Sequence, residues 1–284
     1  MKDLKKVVRR KIKNDTGHTF FWGMQFLPRA QKEAIYTLLA FVRHLESVVE
    51  SSIDLSEKQE ILAMWREELD NIFDKKVPAT DIGRRIYKNC MRFKLPKQEF
   101  LNLVDSISAN IDNPLQAPSL KQLSGYCRGV GGVAGSLALR VFGCKDEQTI
   151  KELASALGLS LQITNILRNV KEDAQNGRLY IPQELLEKAG ITATDSKSVV
   201  VDKNLARARL ELAQIASDNY KKVYEILATL DKKTARPILL IVDIQKRYFD
   251  MMEKRGWEII SPKPHLSKWS KRKILLKNLL SAQL

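Results

Sequence analysis

The sequence predicts an all-α protein with a single domain. Apolar residues recur at helical spacing, as in the stripe formed by Ile61, Trp65 and Leu69, and alternating strands are absent. Hydrophobic residues make up 44% of the 284 residues, and 9 prolines with 13 glycines leave little room for long linkers. We therefore expect one helical domain over residues 1–284.

Helix-capping residues and prolines divide the first half of the chain into helices. Ser56 and Gln59 form a capping-box pattern, which predicts a helix start before Ile61. Pro78 and Pro96 each precede a further helical segment, because proline is tolerated at a helix start but not inside a helix.

The second half is interrupted by two segments rich in turn-forming residues. Residues 113–119 and 190–198 are expected to be loops. A long helix is predicted from about Asp202 to Leu230, and another near Thr234 with Pro237 in its first turn.

The charge balance favours an anionic partner. Lysine and arginine outnumber acidic residues to give a net charge of +15. The basic residues are spread along the chain without a nucleic-acid-binding motif, so we expect no nucleic acid partner. An anionic membrane surface or diphosphate substrates fit better, and a solvated basic surface explains many of the charges equally well.

Cysteine usage and the termini favour a cytoplasmic location. Cys90, Cys127 and Cys144 are odd in number and lack metal-ligand spacing, which indicates packed thiols in a reducing compartment. The basic start lacks the apolar core of a signal peptide, and no run of about 18 apolar residues occurs.

Residues 155–182 contain a stripe of polar side chains on an otherwise apolar helix. Gln162, Asn165, Asn169 and Asp173 fall along one face at spacings of i+3, i+4 and i+4. Oxygen-bearing groups in a buried helix need partners, and Mg²⁺ with substrate phosphate is one such partner. The alternative is a polar stripe facing solvent, with an ordinary i,i+4 pair between Arg168 and Glu172.

A glycine-rich stretch at residues 126–143 begins with Tyr126. No strand precedes it, so it does not predict a dinucleotide-binding loop. Its small residues are better explained by close helix packing or by space left for a ligand. Tyr126 itself is either a functional residue or a packed aromatic with a satisfied hydroxyl.

The polar stripe lies within the stretch LQITNILRNVKEDAQNGRLYIP, which resembles the second signature of the squalene/phytoene synthase family. Within that family, the bacterial presqualene diphosphate synthase branch is most similar to the segments GRLYIP and EKRGWEI. Asn169 stands where the family has an aspartate. Nine positions agree with the signature: Gln162, Asn165, Arg168, Glu172, Asp173, Gly177, Arg178, Tyr180 and Pro182.

Two further stretches resemble other segments of this family. The stretch YCRGVGGVAG resembles its YCxxVAGxVG segment, and residues 17–51 resemble its first region. In that region the family's aspartates are replaced by Glu46 and Glu50, and a phosphate-holding tyrosine is Leu39. The matching positions are Ala34, Ile35, Tyr36, Ala40, Phe41 and Arg43, and the flanking acidic positions have become Ser47 and Ser51.

The resemblance covers about residues 15–260 and leaves a basic tail at 261–284. It implies an isoprenoid synthase-type helical bundle with a central substrate cavity, in which Mg²⁺ helps to join two prenyl diphosphates, such as farnesyl diphosphate, head to head. It implies metal ligands at Glu46, Glu50, Asn169 and Asp173, catalytic roles for Tyr126, Arg43 and Arg168, and substrate binding by Gln162, Asn165, Arg178 and Tyr180. NADPH is not indicated.

The altered acidic positions leave a second hypothesis open. A family member that kept the fold but lost the chemistry would act as an assembly or lipid-binding factor. Glu46, Ser47, Glu50 and Asn169 favour this alternative, because the family prefers aspartate at each of these positions. The retained Tyr126, among others, favours the enzyme.

The basic tail predicts peripheral association with the inner face of the membrane. Trp269 and Leu276 lie within a lysine-rich segment from Lys268 to Lys277, which could form an amphipathic helix. The alternative is that this segment folds back on the helical core. The basic residues of the segment are Lys268, Lys271, Arg272, Lys273 and Lys277, and its apolar ones are Trp269, Ile274, Leu275 and Leu276.

Overall fold

The computed structural model describes residues 27–112, 115–267, 269–271, 273–274 and 276, without the side chains of Glu50 and Asp112. Residues 17–26 of the predicted first motif lie outside this part of the chain. Two five-residue π-helical turns extend α2 at Asn71–Lys75 and join α5 to α6 at Arg128–Gly132. The α-helices are α1 (Arg29–Glu50), α2 (Leu55–Asp70), α3 (Asp81–Phe93), α4 (Lys97–Asp112), α5 (Leu120–Cys127), α6 (Val133–Phe142), α7 (Glu147–Gln175), α8 (Gln183–Lys188), α9 (Ser196–Val201), α10 (Leu205–Thr229) and α11 (Lys232–Arg255).

The all-α prediction is confirmed. No β-strand occurs in the described ranges, and the one extended pairing noted there is an isolated parallel bridge between Gln116 and Leu179. The long helix α7 lies in the middle of the bundle, where it packs against α6, α10, α11 and the second π-helical turn. Helix α1 packs against α3, α4 and α6. One large apolar cluster runs through these helices and forms the core.

Two predicted helix starts are wrong by a few residues. Helix α2 is capped by Asp54, whose carboxylate accepts a hydrogen bond from the Glu57 amide at 2.8 Å, so the expected capping box at Ser56 does not form. Asp231 likewise caps α11 at Lys232, which places Pro237 inside the helix rather than in its first turn. In each case an aspartate upstream supplies the cap, because its carboxylate reaches the free amides of the first turn.

The predicted loop at 190–198 is also wrong at its end. Asp195 accepts a hydrogen bond from the Ser198 amide and starts the short helix α9. The signal was present in the sequence, because aspartate is a strong N-cap residue, but six residues show too little periodicity to predict a helix.

A buried arginine ties the end of the bundle together. Arg209 of α10 is 1% exposed, and its guanidinium donates to the carbonyl oxygens of Trp257 and, at 3.1 Å, Leu167. Burial lowers the pKa of Arg209 to about 10. These bonds fix the chain after α11 against α7 and so set the path of the C-terminal tail.

The described part of the tail folds back on α11. Leu266 packs with Leu240, Ile244 and Tyr248, and Ile274 lies against the same cluster. Lys268, Arg272, Leu275 and Lys277 of the predicted segment lie outside the described residues. Across the described ranges, each helix is too short or too polar to cross a lipid bilayer.

Candidate active site

The polar stripe of α7 is the more accessible face of the helix between residues 162 and 170, before the helix end becomes exposed at residues 171 and 172. Gln162, Asn165, Asn169 and Asp173 are all half-buried, whereas most of their neighbours on this helix are fully buried. Their spacing of three or four residues places them on one side of the helix axis. The sequence prediction of one polar face is therefore consistent with their exposure.

Asp173 is the carboxylate of this face. Burial raises the pKa of Asp173 to about 6, and the positive charges of Arg178 and Lys263 oppose this rise. Glu172, its exposed neighbour, forms an ion pair with Lys263 at 2.7 Å instead of the i,i+4 pair with Arg168. A partly buried carboxylate of this kind gains free energy when a cation approaches it.

The segment after α7 returns toward the site through a tight turn. Gly177 has a φ of 71°, and the Arg178 amide donates to the Asp173 carbonyl oxygen at 2.8 Å, which ends the helix. The Ala117 amide then donates to the Leu179 carbonyl oxygen at 2.8 Å. These backbone bonds hold Arg178 close to Asp173 and direct Tyr180 into the bundle.

Tyr180 stacks on Tyr126. Their ring centroids are 5.5 Å apart and the ring planes differ by 19°. Burial is the largest cause that raises the pKa of Tyr126 well above its usual value, and the neighbouring Tyr180 and Glu46 raise it further. Both hydroxyls therefore stay protonated near neutral pH. Sequence analysis predicted Tyr180 as a substrate-binding residue, and the structure places it directly against the predicted catalytic tyrosine.

Glycines behind Tyr126 allow α7 to approach the second π-helical turn closely. A Cβ atom added at Gly158 would lie 2.6 Å from the Gly132 nitrogen and 2.7 Å from the Cys127 carbonyl oxygen. Both neighbours are backbone atoms, so no side-chain movement could relieve the overlap. Close packing thus explains the small residues at this contact. The second π-helical turn begins two residues after Tyr126, and such turns are frequent at functional sites.

Helix α1 supplies the opposite wall of the site. Arg43 Nη1 donates to Glu46 Oε2 at 2.7 Å, and both side chains are partly exposed. Glu46 lies close enough to Tyr126 to raise its pKa. Glu50 ends α1, but its side chain lies outside the described residues, and Leu39 packs against the core.

The two predicted motifs therefore lie on either side of one tyrosine pair. Glu46 of α1 acts on Tyr126, and Asp173 of α7 raises the pKa of Tyr180, whose largest shift comes from burial. A cavity of about 190 Å³ lies beside Tyr180, with Val49 of α1 and Arg178 among its lining residues. Leu55, Lys58, Asn110, Ile111 and Leu115 complete the lining.

Arg168 is the predicted catalytic residue that the structure places elsewhere. Its guanidinium lies 4.3 Å from the ring centroid of Tyr248, and its Nε donates to the Pro264 carbonyl oxygen at 3.2 Å. Arg168 precedes Asn169 by one residue, which rotates it by about 100° around the helix, onto the side covered by α11 and the tail. Its catalytic role stays a prediction.

Sequence analysis missed Asn110, which comes from the last turn of α4. Asn110 lines the cavity beside Tyr180, and it opposes the rise in the pKa of Tyr180 that burial chiefly causes. Its Oδ1 is buried and has no hydrogen-bond partner in the described part of the chain. A single asparagine at no particular spacing carries no signal in the sequence.

The donor atoms fit a cation shared with substrate better than a preformed metal centre. The described residues hold no group of three or more acidic, histidine or cysteine side chains that could bind one ion. Glu46 and Asp173 instead supply carboxylates from two separate helices, and Asn169 adds an amide oxygen. Mg²⁺ is commonly held in this way, by one or two carboxylates together with substrate phosphates.

A larger groove of about 1100 Å³ lies along the first half of α7. It contains both basic residues, such as Arg140 and Lys222, and acidic ones, such as Glu99 and Glu225, and none of the predicted site residues. Because the predicted residues gather at the tyrosine pair and not in this groove, the candidate site is assigned to the tyrosine pair.

Comparison with known proteins identifies the family of this chain. The profile of the squalene/phytoene synthase family matches residues 13–270. This chain belongs to the squalene/phytoene synthase family. A presqualene diphosphate synthase from Sinorhizobium fredii is 32% identical over 261 residues, which cover 92% of each chain, and a phytoene synthase from Arthrospira platensis is 27% identical over 274 residues. As a member of this family, the chain is a prenyl transferase.

A solved structure supports the isoprenoid synthase fold of this family member. The crystal structure of a dehydrosqualene synthase in complex with ligand superposes with a TM-score of 0.84 and covers 99% of this chain and 98% of its own. The identity is 22%, so this likeness concerns the fold alone.

Proposed function

We propose that this protein joins two prenyl diphosphates head to head, with farnesyl diphosphate the first candidate, to give a cyclopropyl product of the presqualene diphosphate type. The observation that carries the proposal is the stacked pair of Tyr126 and Tyr180. Charged groups from two helices flank this pair, as a reaction that separates an anion from a cation requires.

Arg43 and Arg178 are the residues that would bind the diphosphate groups. Both guanidiniums are multidentate donors that match phosphate oxygens, and they lie near Glu46 and Asp173 respectively. Mg²⁺ bound by Glu46, Asn169 and Asp173, with Glu50 as the fourth predicted ligand, would supply the further positive charge that a departing diphosphate needs. Gln162 and Asn165 continue the same face and would orient the bound substrate.

The proposed reaction breaks one C–O bond and one C–H bond and forms two C–C bonds. The C1–O bond of one allylic diphosphate breaks, and its electron pair leaves with the diphosphate. The double bond of the second substrate attacks the allylic cation and forms a new C–C bond. A proton then leaves the joined carbons, and its C–H electron pair closes the three-membered ring. We propose that the Tyr126 hydroxyl relays this proton: it passes its own proton to an oxygen of the departed diphosphate as it accepts the one from carbon.

A second candidate function is a family member that lost its chemistry and serves as an assembly or lipid-binding factor. The ion pair between Arg43 and Glu46 at 2.7 Å favours it, because that carboxylate already has a cationic partner. The side chain of Asn169 is also neutral, so the polar face of α7 carries one negative charge fewer than it would with an aspartate at this position.

Product analysis separates these two candidates. Purified protein incubated with farnesyl diphosphate and Mg²⁺ should yield a C30 lipid and inorganic diphosphate. The variant Asp173→Ala should yield neither while its far-ultraviolet circular dichroism is unchanged. A wild-type protein that binds farnesyl diphosphate without releasing diphosphate would favour the second candidate.

We also propose that the enzyme associates peripherally with the inner face of the membrane through its tail. Trp269 and Leu276 are 69% and 54% exposed, and Lys273 between them is also exposed. Lys271 and Ile274 lie on the other side of this helical segment, where Lys271 is buried and Ile274 packs against the cluster on α11. The tail therefore folds back on the core and still offers an aromatic and aliphatic face to a lipid surface.

A further inference from the structure

Lys58 lines the cavity beside Tyr180, although it belongs to none of the predicted motifs. It lies near the start of α2, and its Nζ donates to the Val49 carbonyl oxygen at 3.0 Å. Val49 is the last residue but one of α1, where the final four carbonyl groups have no partner within the helix. The Lys58 ammonium is therefore held at the C-terminal end of the helix that carries Glu46.

Arg178 is the second cation in the wall of this cavity. Its backbone is fixed by the turn at Gly177 and by the 2.8 Å bond from its amide to the Asp173 carbonyl oxygen. Within the described ranges, its half-buried guanidinium forms no hydrogen bond or ion pair, and the one such partner of Lys58 is the Val49 carbonyl oxygen. Both cations therefore keep N–H donors for a ligand.

No carboxylate belongs to the wall that the described residues form around this cavity. Asp173 acts on Arg178 from outside the wall. The larger groove along α7 differs, because acidic and basic residues occur there in equal number. Two positive charges at a concave surface with apolar walls attract anions, because the field is concentrated there. The other residues of the wall are neutral: Val49, Leu55, Asn110, Ile111, Leu115 and Tyr180.

The size of the cavity limits which part of a substrate it can hold. Its volume of about 190 Å³ corresponds to roughly six water molecules at ~30 Å³ each. This is enough for a compact anionic group but not for the hydrocarbon chain of a farnesyl group. A guanidinium and an ammonium both donate well to phosphate oxygens, so the wall suits the diphosphate end of a substrate.

The proposed condensation makes different demands on its two diphosphate groups. One of them leaves, and it needs the positive charge of Mg²⁺ near Glu46 and Asp173. The other remains attached to the product and only has to be held in place. We propose that Lys58 and Arg178 bind the retained diphosphate directly, without Mg²⁺, in the cavity beside Tyr180. This inference rests on the proposed condensation and adds Lys58 to its substrate-binding residues.

Calorimetric titration with inorganic diphosphate in the presence of a chelator tests the site without catalysis. Lys58→Gln removes the charge and keeps an N–H donor, and it should raise the Kd by about tenfold or more. Lys58→Arg keeps the charge and should remain within about threefold of wild type. Lys151→Gln removes the same charge from the wall of the larger groove and should bind like wild type. Unfolding midpoints measured alongside identify any variant that is merely less stable.

A sulfur analogue separates the retained diphosphate from the one that leaves. In farnesyl thiolodiphosphate, sulfur replaces the oxygen on C1, and the C1–S bond breaks too slowly for the analogue to supply the cation. With farnesyl diphosphate present, it can still act as the second substrate and give a sulfur-containing product. Lys58→Gln should raise the analogue concentration for half-maximal formation of this product by about tenfold, with the maximal rate within about twofold.

Three outcomes would overturn the inference. One is a wild-type protein that binds no inorganic diphosphate without Mg²⁺. Another is a Lys58→Gln variant with the wild-type Kd. The third is a Lys58→Gln variant in which the maximal rate falls and the half-maximal analogue concentration does not change, because Lys58 would then act on the leaving diphosphate. If wild type binds inorganic diphosphate through Lys58 but forms no head-to-head product, the proposed function fails and the anion site does not, so the two failures are distinct.

Discussion

Gly158 of α7 lies against the backbone of the second π-helical turn, at Arg128–Gly132. A Cβ atom added at Gly158 would lie 2.6 Å from the Gly132 nitrogen. This contact sets how closely the helix with the polar stripe approaches the segment that carries Tyr126. The position of the tyrosine relative to Asp173 and Asn169 therefore depends on a residue that has no side chain.

Gly158→Ala should destabilise the protein and disturb the site together. The added methyl would overlap with two backbone atoms, and overpacking of this kind costs typically about 1–3 kcal/mol. Urea unfolding at pH 7 measures the loss in the free energy of unfolding. Turnover per folded molecule, measured well below the unfolding midpoint, should also fall, because α7 must move away from Tyr126.

Gly125→Ala is the matched control. Gly125 lies in α5, one residue before Tyr126, and nothing lies within 4 Å of the position its Cβ would take. Alanine should stabilise the helix by about 0.5–1 kcal/mol there. Equal unfolding free energies for the two alanine variants would contradict the close-packing explanation.

The polar face of α7 and the residues Tyr126 and Tyr180 could be predicted from the sequence because their information is local. Helical spacing alone places Gln162, Asn165 and Asp173 on one face, and family signatures mark Tyr126. Asn110 could not be found in this way, because it reaches Tyr180 only through the packing of α4 against the rest of the bundle. Arg168 could be recognised from its signature position, but its contacts could not. Its long side chain can reach several neighbours, and the sequence does not determine which one it contacts.

Asp173→Asn should stabilise the metal-free protein at neutral pH. The folded protein binds the Asp173 proton more tightly than the unfolded chain does, with a pKa of about 6 instead of 3.8. The free energy of unfolding therefore falls as pH rises from about 4 to about 6, by at most about 3 kcal/mol in total. The asparagine variant lacks this loss and should be more stable than wild type at pH 7.5 but not at pH 4.

Unfolding in the presence of a chelator at both pH values measures this difference. Glu172→Gln is the control, because its exposed carboxylate adjoins the same position and pairs with Lys263 at the surface. The explanation by burial fails if Glu172→Gln gives the same gain at pH 7.5. Turnover should be lost in Asp173→Asn, because this change removes the negative charge of the carboxylate proposed to bind Mg²⁺.

Asn169→Asp should tighten Mg²⁺ binding and raise the rate of any synthase reaction. The substitution returns a full negative charge to a half-buried position on the same face as Asp173. One added carboxylate near a divalent cation should lower the dissociation constant by about tenfold or more. Calorimetric titration with Mg²⁺ in the presence of a non-hydrolysable diphosphate analogue measures this change.

The control for charge alone is Asn102→Asp, at an exposed position on α4. It changes the net charge by the same amount and should leave both the Mg²⁺ affinity and the rate unaltered. If Asn169→Asp behaves like this control, Asn169 does not coordinate the metal directly.

Membrane association should depend on the exposed face of the tail rather than on the whole tail. Removal of the chain beyond Pro264 would also strip Leu266 and Ile274 from the cluster on α11, so a truncated protein could lose binding through unfolding. The double variant Trp269→Ala/Leu276→Ala is the sharper test, because both side chains are exposed. It should reduce co-sedimentation with anionic vesicles severalfold without lowering the unfolding midpoint.

Salt and a matched surface variant complete that test. Basic residues near an anionic surface contribute about 1 kcal/mol each, and the attraction is screened over a Debye length of about 10 Å at 0.1 M salt. Wild-type binding should therefore weaken as salt rises and should be absent with neutral vesicles. Met64→Ala removes an equally exposed apolar side chain from α2 and should bind like wild type. Binding by the double variant at the wild-type level would exclude this face, and the tail would then serve only to close the bundle at α11.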